Sequence, residues 1–199
     1  MTISYTLGGS LYLNITNKCN CACVFCIRNV SDGVGDSESL WLPHEPTAAE
    51  VIDDLKKRDL SKYGEVVFCG YGEPTESLDV LLSVCRFLKE NHPGIPVRLN
   101  TNGLSDLSHK KQTVPLLKGL VDAVSISLNA PDAKRYQEVA NPSFGEQAFD
   151  AMISFAKSAK EVIPSVMFTV VNVLADEELS RCKKLAADLK IPLRVRGGI

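Results

Sequence analysis

Short apolar runs alternate with amphipathic helical stretches along almost the whole chain, and no other feature of the sequence narrows the possible folds so far. The pattern is that of repeated strand–helix units around a parallel sheet. Candidate strands are Ser10–Thr16, Glu65–Cys69, Val97–Thr101, Ala123–Leu128, Val166–Val173 and Leu193–Arg196. Between them, Thr47-Ala48-Ala49-Glu50 reads as a capping box ahead of Val51, Ile52 and Leu55. Leu78, Leu81, Leu82, Cys85 and Leu88 recur at helical spacing, as do Leu179, Cys182, Leu185, Ala186 and Leu189. Ser143-Phe144-Gly145-Glu146 matches a second capping box, which predicts a helix through Phe149, Met152, Ile153 and Ala156.

Strand parity sharpens this. Successive side chains of a strand point to opposite faces. Val124, Ile126 and Leu128 oppose Ser125, Ser127 and Asn129, while Val97, Leu99 and Thr101 oppose Arg98, Asn100 and Asn102. In the stretch from Leu193 to Gly198, Leu193 and Val195 oppose Arg194 and Arg196. A flat sheet covered on both sides by helices prefers apolar residues on both faces. One polar face per strand predicts a barrel-like sheet with helices outside and a polar, ligand-holding interior.

The chain of 199 residues suits a single domain spanning 1–199, with 45% hydrophobic and 23% charged residues, as in ordinary globular proteins. A net charge of -2 gives no general attraction to nucleic acid. No apolar run is long enough to span a bilayer, and residues 1–10 lack a basic-then-apolar leader, so a cytoplasmic protein is expected. The longest irregular stretch, Asn29–Pro46, holds the only tryptophan, Trp41. It is read either as a cover over a site or as a loop around the barrel end.

Seven cysteines in a reducing compartment, with Cys19, Cys21, Cys23 and Cys26 within eight residues, read as metal ligands rather than as a disulfide framework. Thiolate sulfur suits zinc and iron–sulfur clusters alike. All four cysteines would make a closed zinc knuckle. Cys19, Cys23 and Cys26 alone would leave one iron of a cluster without a protein ligand, and an open position is what a catalytic metal site keeps.

The spacing Cys19-x3-Cys23-x2-Cys26, with the aromatic Phe25 before the last cysteine, resembles the signature of the radical SAM superfamily. The resemblance implies a partial (β/α)6 barrel and a [4Fe-4S] cluster on Cys19, Cys23 and Cys26, with Cys21 a bystander. It also implies S-adenosyl-L-methionine chelated to the open iron by its amino and carboxylate groups. One electron from the cluster then splits the C5'–S bond, and the 5'-deoxyadenosyl radical abstracts hydrogen from a substrate. Gly70-Tyr71-Gly72-Glu73-Pro74 resembles the family's glycine–glutamate motif, which implies that Gly72 and Glu73 contact the methionine amino group. Read from chemistry alone, such glycines let a backbone approach a ligand.

Asn100-Thr101-Asn102-Gly103 resembles a recurrent strand end of the family and equally reads as a turn with Gly at positive φ. Ser127 and Asn129 fall where the family's fourth strand meets the cofactor, though Asn129 also reads as a cap for a helix near Asp132. Asn172 is a further cofactor candidate, and Arg194 and Arg196 are candidates to neutralise a carboxylate of substrate or cofactor, or to pair with acidic neighbours. Cys69 sits beside the site; Cys85 and Cys182 read as buried apolar residues. No residue is assigned to the chemistry on substrate itself.

The words Leu11-Tyr-Leu-Asn-Ile-Thr-Asn-Lys-Cys19 and Phe68-Cys-Gly-Tyr-Gly-Glu-Pro-Thr75 resemble the short TatD family-associated radical SAM proteins. Family resemblance implies a flavodoxin or ferredoxin as electron donor. A bare core of this size also resembles activating enzymes of glycyl-radical proteins, which implies a macromolecular substrate. From another class come a non-catalytic zinc module and a cluster protein that only transfers electrons.

Overall fold

The structure is a computed structural model that describes residues 1–197. Residues 198 and 199, which end the expected domain and the stretch read from Leu193, lie outside the described residues. In chain order the elements are β1 (Ser4–Leu7), β2 (Ser10–Leu13), α1 (Ala48–Leu55), β3 (Val66–Phe68), α2 (Leu78–Asn91), β4 (Val97–Thr101), α3 (Ser105–His109), α4 (Val114–Leu117), β5 (Ala123–Ser127), α5 (Ala133–Ala140), α6 (Gln147–Val162), β6 (Ser165–Val171), α7 (Asp176–Asp188) and β7 (Leu193–Arg196).

The strands form one sheet in the order β1-β2-β3-β4-β5-β6-β7, in which β2 to β7 run parallel. They correspond to the six expected strands. β1 is the addition, antiparallel to β2 through a hairpin at Gly8 and Gly9 with φ of 57° and 80°. Two consecutive positive-φ residues are the demand of a tight hairpin turn, so the Gly-Gly pair was a readable signal for this strand. β7 is not paired with β1 or β2 among the described residues, and the barrel is open between them.

The parity reading holds in β4 and β5 and extends to β6; in β7 the arginines reach the cavity, but Val195 is exposed because no helix covers it. Val97, Leu99, Val124, Ile126, Phe168 and Val170 belong to the core beneath the helices. The helices supply Leu81, Leu88, Met152 and Phe155, each fully buried; burial of such side chains stabilises by roughly 1.5–3 kcal/mol apiece. Cys85 and Cys182 are fully buried in this layer, and burial pushes their thiols up to about 12 and about 11. The opposite faces of the strands turn toward an interior cavity.

The Thr47–Glu50 capping box forms as expected, with Glu50 N–H donating to Thr47 Oγ1 at 3.3 Å and Thr47 N–H to Glu50 Oε2 at 2.8 Å. The second capping box does not. Gly145 takes φ +70° between Ser143 and the helix, and α6 opens at Gln147 without a side-chain cap. Local spacing alone could not see that turn. The helix after β5 is capped by Asp132, whose side chain accepts from Arg135 N–H at 2.9 Å, so Asn129 is not its cap.

The stretch Asn29–Pro46 carries no strand or α-helix but is firmly anchored. Asn14, wholly buried at the end of β2, donates from Nδ2 to Leu40 O at 2.7 Å, and Asn17 Nδ2 donates to Leu42 O at 2.7 Å. Leu40 packs with Tyr5 and Tyr71 in a small second core. Trp41 lies edge-on to Tyr71 and beneath the Arg28 guanidinium, 5.8 Å from the ring centroid. Val34 and Leu40 reach the interior cavity, so the loop forms part of its wall.

Candidate functional site

A cavity of about 480 Å³ opens among the carboxyl ends of the strands, which is where parallel α/β proteins assemble ligand sites. Cys19, Cys21, Cys23, Phe25 and Cys26 line it from the loop after β2. That loop is tied down by α5 and its exit: Val24 N–H donates to Val139 O at 3.0 Å, Ala22 N–H to Ala140 O at 3.1 Å, and Ser143 N–H to Asn20 O at 2.9 Å. A tight turn, Cys26 N–H to Cys23 O at 3.1 Å, presents the last two cysteines together.

The thiols are not equivalent. Cys19, Cys23 and Cys26 are half-buried, whereas Cys21 is 6% exposed. Cys21 lies between Cys19 and Cys23. The nearby Cys21 side chain pulls both neighbours below the ordinary range, and their proximity, with burial, pushes the Cys21 thiol up. Its sulfur also meets the amide of Asn102, 3.5 Å away, and the amide oxygen of Asn20, 3.6 Å away. Among the described residues no three His, Cys, Asp or Glu side chains surround a point for a single ion. The ligands of a cubane cluster need no such convergence, because each meets a different iron. Three sulfurs on one cavity wall fit a cluster with an open corner.

Glu73 follows β3 and is 4% exposed. Its Oε1 accepts from Thr75 N–H at 3.2 Å and from the hydroxyls of Thr75 and Thr101, both at 2.7 Å. Its Oε2 accepts from Asn102 N–H at 2.7 Å. Burial pushes the carboxyl up against the pull of these donors. Asn102 continues the network, its Nδ2 donating to Asn20 Oδ1 at 2.6 Å. Gly103 takes φ +76°, so this strand end is the expected turn as well as part of the cavity wall.

The glycines of the motif line the cavity and also allow close packing within the chain. A Cβ on Gly70 would lie 2.1 Å from Asn14 Oδ1, and one on Gly72 would lie 2.3 Å from Thr16 O and 2.6 Å from Lys18 O. The close approach is to the chain's own backbone. Gly72 lets the β3 loop press against the β2 exit, and Glu73 N–H donates to Lys18 O at 2.7 Å.

Ser127 and Asn129 line the cavity. Asn129 takes φ 52° and its Oδ1 accepts from Val171 N–H at 3.2 Å, which fastens β5 to β6. Asn172 is exposed just past β6 and stands outside the cavity lining, because β6 ends at Val171 and the chain turns outward there; its N–H donates to Arg196 O at 3.0 Å. Arg194 and Arg196 do reach the cavity, as do Cys69, Arg98 and Asn100. Burial pushes the Cys69 thiol up, with Asn100 and Arg196 pulling the other way. Tyr136 of α5, fully buried against the cysteine loop, also lines the cavity and was missed. On a helix of ordinary amphipathic pattern nothing distinguishes it from a core residue.

Among the described residues no helix is long and apolar enough to cross a membrane. A family model described as the radical SAM superfamily matches residues 13–186. GTP 3',8-cyclase of Paenarthrobacter nicotinovorans is 26% identical over 144 residues, which are 68% of this chain and 36% of that protein. The chain thus spans little more than a third of the length of this curated relative. Among solved structures, a radical SAM methyltransferase from Sphaerobacter thermophilus superposes with a TM-score of 0.60 at 16% identity, over 98% of this chain and 68% of that one. Methylornithine synthase superposes with a TM-score of 0.64 at 14% identity, over 96% and 53%. At such identities the two structures speak for the fold alone, a partial α/β barrel. With the family match running from the end of β2 into α7, the chain belongs to the radical SAM superfamily of enzymes.

Proposed function

We propose that Cys19, Cys23 and Cys26 hold a [4Fe-4S] cluster, that Cys21 stays outside the ligand set, and that the cavity takes S-adenosyl-L-methionine together with a substrate. The observation that carries this reading is that the three thiols face the same cavity as Glu73, Asn102, Ser127 and Asn129, which come from the ends of β3, β4 and β5. When bound, the reduced cluster supplies the electron that breaks the C5'–S bond of the cofactor.

The chain's own part is positioning. Glu73 Oε1 is saturated by three donors, while Oε2 receives only Asn102 N–H and keeps an acceptor position for an ammonium. Because the carboxylate is fixed on both sides, its direction costs no reorganisation when the ammonium arrives. Phe25 and Tyr136 provide apolar surface beside the thiols, and Gly72 sets the distance between the two loops. The Leu11–Cys19 and Phe68–Thr75 wording supports a place among the TatD family-associated proteins, with a flavodoxin or ferredoxin as reductant in the cytoplasm.

Anaerobic reconstitution tests the proposal. It predicts the spectrum of a [4Fe-4S] cluster and release of 5'-deoxyadenosine from S-adenosylmethionine on reduction. Cys23→Ala should bring both to background, and Cys21→Ala should retain the cluster. One tightly held zinc with no nucleoside product would refute the reading. A cluster lost in Cys21→Ala but kept in Cys23→Ala would refute the ligand assignment.

A further inference from the structure

The wall of the cavity formed by β4 to β7 holds polar groups that the fold does not satisfy. Asn100 Oδ1 and Arg196 Nε are buried there without a hydrogen-bond partner. Leaving a buried polar atom unpaired is costly, so two on one wall call for an explanation. Charge is unbalanced in the same place. Arg98 is held bidentately by Glu65, Nε to Oε2 at 3.0 Å and Nη2 to Oε1 at 2.6 Å. Among the described residues Arg194 and Arg196 form no ion pair.

Register brings these groups together. Thr169 pairs with both Ser127 and Arg194, Val171 with Arg196, and Asn100 with Ser125. Asn100, Ser125, Ser127, Thr169, Arg194 and Arg196 line a recess of about 30 Å³ that shares residues with the main cavity. A recess of that size admits the terminal group of a ligand whose body occupies the larger space.

We propose that Arg194 and Arg196, with Asn100, bind an anionic group of the substrate: a carboxylate or a phosphate with a hydrogen-bond donor beside it. Paired guanidinium groups recognise such planar or tetrahedral oxyanions through several charge-assisted hydrogen bonds. Asn100 Oδ1 is an acceptor, so the group next to the anion must donate, as a hydroxyl or an ammonium does. The proposal rests on the reading that this cavity is the cofactor and substrate cavity. Under that reading the methionine end of the cofactor belongs beside Glu73 and the cysteines. The arginines come from β7, a different strand from the one that carries Glu73, and together with Asn100 they line a recess of which Glu73 and the cysteines are not part.

The test is titration of the reconstituted protein with inorganic phosphate, acetate and glycolate, followed calorimetrically. Saturable binding of phosphate or glycolate is expected; whichever is tighter identifies the anion. Arg194→Gln and Arg196→Gln should each weaken it about tenfold or more. The charge control Arg86→Gln, on an exposed turn of α2, should not change it. Glycolate should bind more tightly than acetate, and Asn100→Leu should erase the difference. Unaltered thermal melting in each variant confirms that folding is intact.

No saturable binding by the wild-type protein overturns the proposal, as does equal binding by wild type and Arg196→Gln. A parallel titration with S-adenosylmethionine distinguishes the ligands. If Arg196→Gln weakens that cofactor by the same factor, the arginines serve it and the proposal falls. Failure to release 5'-deoxyadenosine, with anion binding intact, would instead count against the cluster reading.

Discussion

The two walls of the cavity are built on opposite principles. On the wall of the β2 and β3 exits and the end of β4 at Thr101 and Asn102, almost every polar group has its partner within the chain. Glu73, Thr101 and Asn102 line it nearly or fully buried, each engaged in hydrogen bonds, and Asn14 is bonded behind them. On the wall of β4 to β7, Asn100 Oδ1 and Arg196 Nε have none. A wall satisfied by itself holds its shape before any ligand binds. A wall with open donors and acceptors gains most of its hydrogen bonding from the ligand. The cysteine loop is attached to the first kind, and the arginines belong to the second.

The largest effect that could break this contrast comes from Glu73. Glu73→Leu leaves Thr75 N–H and Asn102 N–H buried without their acceptor, and should cost about 2–5 kcal/mol in chemical denaturation. Asn100→Leu removes an acceptor that already lacks a partner, and should stay within about 1 kcal/mol of the parent. Equal losses for the two variants would show that the walls do not differ.

Glycines give the next test. Gly72→Ala drives a Cβ to 2.3 Å from Thr16 O, against backbone that cannot swing aside. It should cost about 1–3 kcal/mol or more and displace the cysteine loop, read as a lower iron content after reconstitution. Gly197→Ala, where nothing lies within 4 Å, should change melting by no more than about 0.5 kcal/mol.

The smallest effect belongs to α1, which enters from the self-satisfied side. Thr47→Ala should lower stability by about 1 kcal/mol, as loss of an N-cap does. The Thr47 N–H, with His44 and the Thr47 hydroxyl, holds the Glu50 carboxyl down at about 2. A carboxyl lowered by folding contributes above its ordinary value and loses that contribution as pH falls toward the folded value. Helix α1 should therefore loosen in acid between about pH 4 and pH 2 in the parent, and the dependence should be weaker in Thr47→Ala.

Much of this was legible in the chain. The six parallel strands, the faces of β4 and β5, and the buried Cys85 and Cys182 follow from periodicities of two and 3.6 residues, which are local and repeat many times. The spacing of Cys19, Cys23 and Cys26 is likewise local. What escaped were features whose partners are distant in sequence. Ser143–Glu146 has the letters of a capping box, but the backbone at Gly145 turns the other way. Asn172 falls one residue past the end of β6 and outside the cavity lining. Gly70 and Gly72 were recognised as points of close approach, while what approaches them, Asn14 and Thr16, lies more than fifty residues earlier.

The sequence by itself thus determined the alternation of strands and helices, a polar interior, and three thiols spaced for a cluster, because each depends on neighbours within a few residues. Only the tertiary structure decided that Cys21 is buried while its neighbours are half-exposed, that Glu73 is clamped by Thr75, Thr101 and Asn102, and that Arg194 and Arg196 line one recess with Asn100 and, among the described residues, form no ion pair. Those are questions of which polar groups find each other across the sheet. Hydrogen bonds and ion pairs act over about 3 Å, and no spacing along the chain reports which side chains come that close.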